Sequence, residues 1–184
     1  MDSEIRIPVT AAVFAVMAVL LSGCMAYDAV STVASVGGST AQDWAPAGRL
    51  DSVPATVAAD LHSRYRPTRI IWDMGEDDAL PRHDPERFSK DYEKIFAAGR
   101  ALGMTAPVYL TVATKCLPDD YPWTPDNPIA RAEKQLPARI AGLTLGVDRD
   151  ALMRMIDRRD DCHLGATGAA KMAQAWLERF EADR

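Results

Sequence analysis

Thr68-Arg69-Ile70-Ile71-Trp72 is a short β-branched, apolar run that breaks straight into Asp73-Met74-Gly75-Glu76-Asp77-Asp78. Five such residues are too few for a helix and suit a buried strand that ends in a polar turn. Downstream the period changes. Asp84 caps Pro85, and Phe88, Tyr92, Ile95 and Phe96 share one face of a helix that runs to about Leu102 and stops at Gly103. Pro107 to Ala113 (PVYLTVA) is the next strand and Ile129 to Ala141 the next helix. Leu143 to Val147 reads as a short strand, and a last helix from Ala166 to Ala182 puts Met172, Trp176 and Phe180 four apart. Upstream, Val53 to Tyr65 fits a helix and Ala29 to Val36 (AVSTVASV) a short buried strand. Strands alternating with helices predict a parallel sheet covered on both faces, a three-layer α/β/α class. In such sheets ligands bind beyond the carboxyl ends of the strands. Here those ends lead into Gly37-Gly38-Ser39, Gly75-Glu76-Asp77-Asp78 and Thr114-Lys115-Cys116.

Composition sets the outer bounds. A chain of 184 residues is one domain's worth, and 48% hydrophobic content supplies a sizeable core. The net charge of −5 and the lack of a basic stripe argue against nucleic acid. Twelve prolines disfavour a helical bundle, and no internal repeat is present. From Ile7 to Gly23 there is no charged residue, and the run closes on Leu21-Ser22-Gly23-Cys24, which resembles the lipobox of bacterial lipoproteins. Residues 1–23 are then a lipoprotein-type signal peptide, with Cys24 the lipidated residue at the cell envelope. The other reading makes them an apolar first helix of a cytoplasmic protein, with residues 24–184 the domain in either case. Three cysteines is an odd number. Lipidation of Cys24 leaves Cys116 and Cys162 as a pair that an oxidising compartment would let bridge; in a cytoplasmic protein both are buried thiols.

Several residues carry chemistry. Asp160 and His163 sit three apart before the last helix, a spacing at which a carboxylate can turn back onto one imidazole nitrogen and leave the other free as a base. Most Asp-x-x-His pairs are surface features; here Leu164 can anchor the loop in the core, and Gly168 lets the final helix start close to the sheet. Gly37-Gly38-Ser39-Thr40 exposes backbone N–H groups at a strand end, the raw material of an oxyanion hole, although a tight turn needs the same glycines. Trp44 and Trp72 read as core or rim aromatics able to stack on a sugar. Asp77-Asp78 and Asp119-Asp120 read as solvated loop charge, and His62 and His83 as surface residues; no metal-ligand spacing is evident.

Four segments, in order, resemble the sialate O-acetylesterase-like branch of the SGNH (GDSL-type) hydrolases. Val36-Gly37-Gly38-Ser39-Thr40 with Trp44-Ala45-Pro46-Ala47-Gly48 is similar to that family's second block, whose glycine supplies an oxyanion N–H. Ile71-Trp72-Asp73-Met74-Gly75-Glu76-Asp77-Asp78-Ala79 resembles the third, which commonly reads Trp-x-Gln-Gly-Glu. Ala106-Pro107-Val108 to Thr114-Lys115-Cys116, followed by Asn127-Pro128-Ile129, looks like the branch's strand and asparagine-led helix. Asp160-Asp161-Cys162-His163 is similar to the fifth block. The resemblance spans roughly residues 27 to 180. It implies a flavodoxin-like α/β/α sandwich and hydrolysis of a small ester or acetylated carbohydrate by a serine mechanism, with neither metal nor organic cofactor.

Carried over by position, His163 is the base, Asp160 its orienter and Gly38 an oxyanion donor. Gly75, Glu76, Asp77 and Trp72 fall on the oxyanion and substrate side, and a Cys116–Cys162 bridge is implied. Two departures accompany the likeness. The family's first block, Gly-Asp-Ser or Gly-Gln-Ser, is missing upstream of Val36, so the sandwich lacks its first strand and usual nucleophile; Met74 stands where the branch has Gln. Ser39 is the one serine beside the site that could substitute, if it lies within about 3 Å of His163 Nε2. The expected function is an SGNH-type ester hydrolase touching membrane only through a lipid anchor. The alternative is an inactive SGNH-like envelope lipoprotein that binds a glycan or protein partner.

Overall fold

The computed structural model describes residues 33–64, 66–80, 83–116 and 123–183. β2 (Val108–Val112) is buried at every position. That follows from its place: β1 (Ile70–Trp72) pairs along one edge and β3 (Leu143–Asp148) along the other, both parallel to it. Alternate β2 side chains enter different layers, as the two-residue strand period requires. Val108 and Leu110 join one apolar cluster and Tyr109 the other.

The first cluster is covered by α1 (Ala41–Trp44), α3 (Pro85–Ala101) and α4 (Pro128–Arg139), through Trp44, Phe88, Tyr92, Phe96, Ile129 and Leu136. α2 (Ser52–Arg64) packs against α3. The second lies under α6 (Ala166–Glu181), through Met172 and Trp176. The fold is therefore a three-layer α/β/α sandwich around a three-stranded parallel sheet. Its apolar side chains each contribute roughly 1.5–3 kcal/mol by leaving water. Trp72 is edge-on to Trp44, Tyr92 and Phe96, so the first layer is notably aromatic.

Helix starts sit where the sequence reading puts them. Asp84 accepts from Glu86 N–H at 3.0 Å, and Asn127 Oδ1 accepts from Ile129 and Ala130 N–H, each at 3.0 Å, ahead of a first-turn proline. β1 is three residues long because pairing to β2 begins only at Ile70. The strand expected over Ala29 to Val36 does not form where it is described: residues 33–36 are unpaired, and residues 29–32 lie outside the described residues. Residues 1–23, Cys24, Asp119, Asp120 and the His62 side chain also lie outside them.

Two short helices, α1 and α5 (Arg149–Leu152), and a 3₁₀ turn at Met155–Asp157 were not foreseen, since one turn leaves no hydrophobic period to read. Among the described residues no helix is long and apolar enough to cross a membrane. Among them, no cluster of His, Cys, Asp and Glu side chains could hold a metal ion.

Candidate functional site

Beyond β3 the chain passes through α5 and the 3₁₀ turn into a tight loop. Arg158 and Leu164 pair as an antiparallel bridge, and Arg159 N–H donates to the His163 carbonyl at 2.9 Å. Asp160 fills the loop from within. Its Oδ1 accepts from the N–H of His163 at 2.6 Å and of Cys162 at 2.9 Å. The same carboxylate lies 3.0 and 3.1 Å from His163 Nδ1. Those N–H groups, His163's first and Cys162's next, hold the Asp160 carboxyl well below the usual carboxylate range. An ionised acceptor at Nδ1 selects the tautomer with its proton there, which leaves Nε2 as a base. The His163 side chain is 61% exposed, so that base is open to a substrate.

The loop is tied to the sheet. Cys162 is disulfide-bonded to Cys116, just past β2. Arg158 Nη1 donates to the carbonyls of Lys115 at 3.2 Å and Cys162 at 2.5 Å. Leu164 packs on the α6 cluster. Gly168, in the first turn of α6, has the Asp157 carbonyl where a Cβ would stand, so only glycine allows that approach.

The β1 and β3 ends meet the same region. Arg149 is ion-paired with Glu76 and lies 3.4 Å from Asp73. Burial disfavours the Arg149 charge, but Asp73 and then Glu76 outweigh it and raise the pKa. Asp150 accepts from Thr114 N–H at 2.7 Å, Thr114 Oγ1 at 2.6 Å and Lys115 N–H at 3.2 Å, which fixes the β2 end. Thr114 Oγ1 in turn accepts from Trp123 Nε1 at 3.0 Å and Asn127 Nδ2 at 2.6 Å.

Gly38 and Asp77 come together: Asp77 Oδ2 is 3.6 Å from the point a Gly38 Cβ would occupy, and Gly38 has φ +66°. Asp78 accepts from Ala41 N–H at 2.9 Å and is buried, not solvated as the sequence suggested. Burial pushes its pKa up to about 7. His83, expected at the surface, has its side chain 21% exposed, with Nδ1 3.7 Å from Asp78 Oδ1.

No hydrogen bond joins Ser39 to His163. The Ser39 hydroxyl donates to the Val36 carbonyl at 2.7 Å and accepts from Trp44 Nε1 at 2.8 Å. A hydroxyl has one proton to donate, and here it closes the glycine turn. Trp72 lies in the aromatic layer with Trp44, Tyr92 and Phe96. Glu133, Arg149, Asp150 and Arg158 were not singled out in the sequence. Arg149 and Asp150 directly follow β3, so the strand-end rule that flagged the other loops would have found them.

No protein-family model and no curated protein matches the sequence. Among solved structures, a protein from Arabidopsis thaliana determined by X-ray crystallography is similar, with a TM-score of 0.55 at 19% identity. The match covers 78% of this chain and 58% of that one. A likeness at that identity establishes the shared α/β fold.

Proposed function

We propose that this chain is an SGNH-type ester hydrolase related to the sialate O-acetylesterase-like branch, acting on a small ester or acetylated carbohydrate. The observation that carries the reading is the Asp160–His163 pair. Its carboxylate is held by two backbone N–H groups, its imidazole is oriented through Nδ1, and its exposed ring stands at the carboxyl end of a parallel sheet.

In the proposed reaction His163 Nε2 takes the proton of a serine hydroxyl as the serine oxygen bonds the carbonyl carbon. The alcohol leaves with that proton. Water then repeats the exchange, which releases the acid and restores the serine. The N–H groups of Gly38 and the Gly75 turn are the candidates for stabilising the oxyanion. The hydroxyl must come from Ser39, after it gives up Val36 and Trp44, or from a serine on a strand placed beside the site. If export accompanies the activity, Cys24 is the candidate lipid anchor and the envelope the compartment.

A second reading has its own observation. The Ser39 hydroxyl is committed to structural partners, which favours a non-catalytic module that binds a glycan or a partner protein.

A fluorophosphonate probe separates the two. Covalent labelling of one serine in the full chain, lost in His163→Ala, supports the hydrolase. A folded chain that takes no label supports the binding module.

A further inference from the structure

Glu133, midway along α4, is wholly covered by protein. Its Oε2 accepts from Ala113 N–H at 3.3 Å, just past β2. Its Oε1 has no hydrogen-bond partner among the described residues. That oxygen lies against Gly75, occupying the place where a Cβ would stand, while the Ala113 carbonyl is 2.9 Å from the same point. Gly75 has φ +143°, so both its backbone angle and this contact require glycine. A helix side chain is thus inserted between the ends of two neighbouring strands.

Among the described residues, no cation donates a hydrogen bond to it. The charged groups facing Glu133 are Asp150 from α5 and Asp73 and Glu76 from the turn after β1. The Tyr92 hydroxyl faces it from α3. Arg149, the cation of this cluster, is engaged by Asp73 and Glu76. A fully buried carboxylate without a paired cation is strongly disfavoured.

We propose that Glu133 is a positioning residue whose carboxyl group, wedged between the end of β2 and Gly75, sets the height of the Gly75–Asp78 turn over the sheet and so how closely Asp77 approaches the Gly38 turn. It does this as a neutral acid: burial first, and then Asp150, raise its pKa well above the ordinary value. The native state therefore keeps a proton that the unfolded chain releases. Stability contributed by this group is complete below the ordinary glutamate range and declines as pH rises toward its folded pKa.

The test needs no ester to be turned over. Thermal unfolding of the full chain is followed from pH 5 to 9 beside Glu133→Gln and Glu133→Ala, together with the amide resonances of Gly38 and Gly75. The glutamine variant keeps the acceptor and carries no acid. Its Tm is expected to rise relative to wild type with pH, by about 3 °C or more across the range. Its Gly38 and Gly75 amide resonances should stay close to those of wild type, because the glutamine fills the same wedge, whereas both should shift in Glu133→Ala. The alanine variant, which leaves Ala113 N–H unpaired, should be less stable throughout. Parallel Tm curves for wild type and Glu133→Gln, or a glutamine variant as damaged as the alanine one, would overturn the proposal. So would Gly38 and Gly75 resonances that are unchanged in Glu133→Ala.

Discussion

Two aspartate–histidine pairs stand on loops of this fold, and their environments are opposite. Asp160 lies on an exposed loop, accepts two backbone N–H groups and touches His163 Nδ1 at 3.0 Å. Asp78 is buried, accepts from Ala41 N–H, and has His83 Nδ1 no nearer than 3.7 Å. Burial pushes Asp78 up to about 7, whereas the N–H donors pull Asp160 below the usual carboxylate range. Only the first pair has a permanently charged carboxylate to orient an accessible imidazole. The second fastens the start of α1 to the turn after β1. Proximity in the chain or in space does not make an acid–base pair; the groups that solvate the carboxylate decide it.

Activity gives the widest contrast between them. On an acetyl ester, Asp160→Asn should lower kcat/KM by about 10²–10⁴-fold, because an amide no longer selects the Nδ1–H tautomer. Asp78→Asn should leave kcat/KM within about threefold. Equal losses in steady-state assays of the two variants would erase the distinction.

The disulfide comes next. It closes a 46-residue separation and ties only the His163 loop to β2. Replacing both cysteines with serine should cost up to about 4 kcal/mol on chain-entropy grounds. Urea unfolding would measure this. A loss under about 1 kcal/mol would mean that Arg158 and the internal bonds of the loop hold it unaided.

Opposite pH slopes sharpen the comparison further. Asp78 has a folded pKa above its unfolded one, so its contribution is complete below about pH 4 and declines as pH rises through about 7. Asp160 has a depressed folded pKa, so its contribution is present above the ordinary carboxylate range and is lost as pH falls through the folded value. Differential scanning calorimetry should show Asp78→Asn gaining Tm relative to wild type between pH 5 and 8, by roughly 3 °C. Asp160→Asn should lose its deficit only in acid. Curves of the same slope would contradict both assignments.

The smallest effect belongs to Ser39. Its hydroxyl bridges Val36 and Trp44, and Ser39→Ala should cost about 1 kcal/mol in chemical unfolding. A variant that unfolds as wild type does but loses all activity would instead make Ser39 the nucleophile.

Much of the fold was legible because period and capping are local. Asp84 and Asn127 announce their helices, and the run from Val108 to Val112 reads as a buried strand. Asp160 and His163 were legible for the same reason, being three residues apart. What remained hidden depends on long-range contact. Arg149 meets Glu76 across 73 positions and Asp150 meets Thr114 across 36, and no local pattern encodes either pairing. The buried role of Glu133 was equally concealed, since the hydrophobic face of α4 gives no reason to place a carboxyl group in it. Ala29 to Val36 was misread where it can be checked because its apolar composition suits a strand, while residues 33–35 are exposed and unpaired.

The most direct test of the central claim is release of acetate from an acetylated monosaccharide by the full chain, measured beside His163→Ala and His83→Ala. Turnover should fall about 10³-fold or more in His163→Ala and stay within about threefold in His83→Ala. A folded wild-type chain that releases no acetate, or turnover indifferent to His163, would contradict that claim.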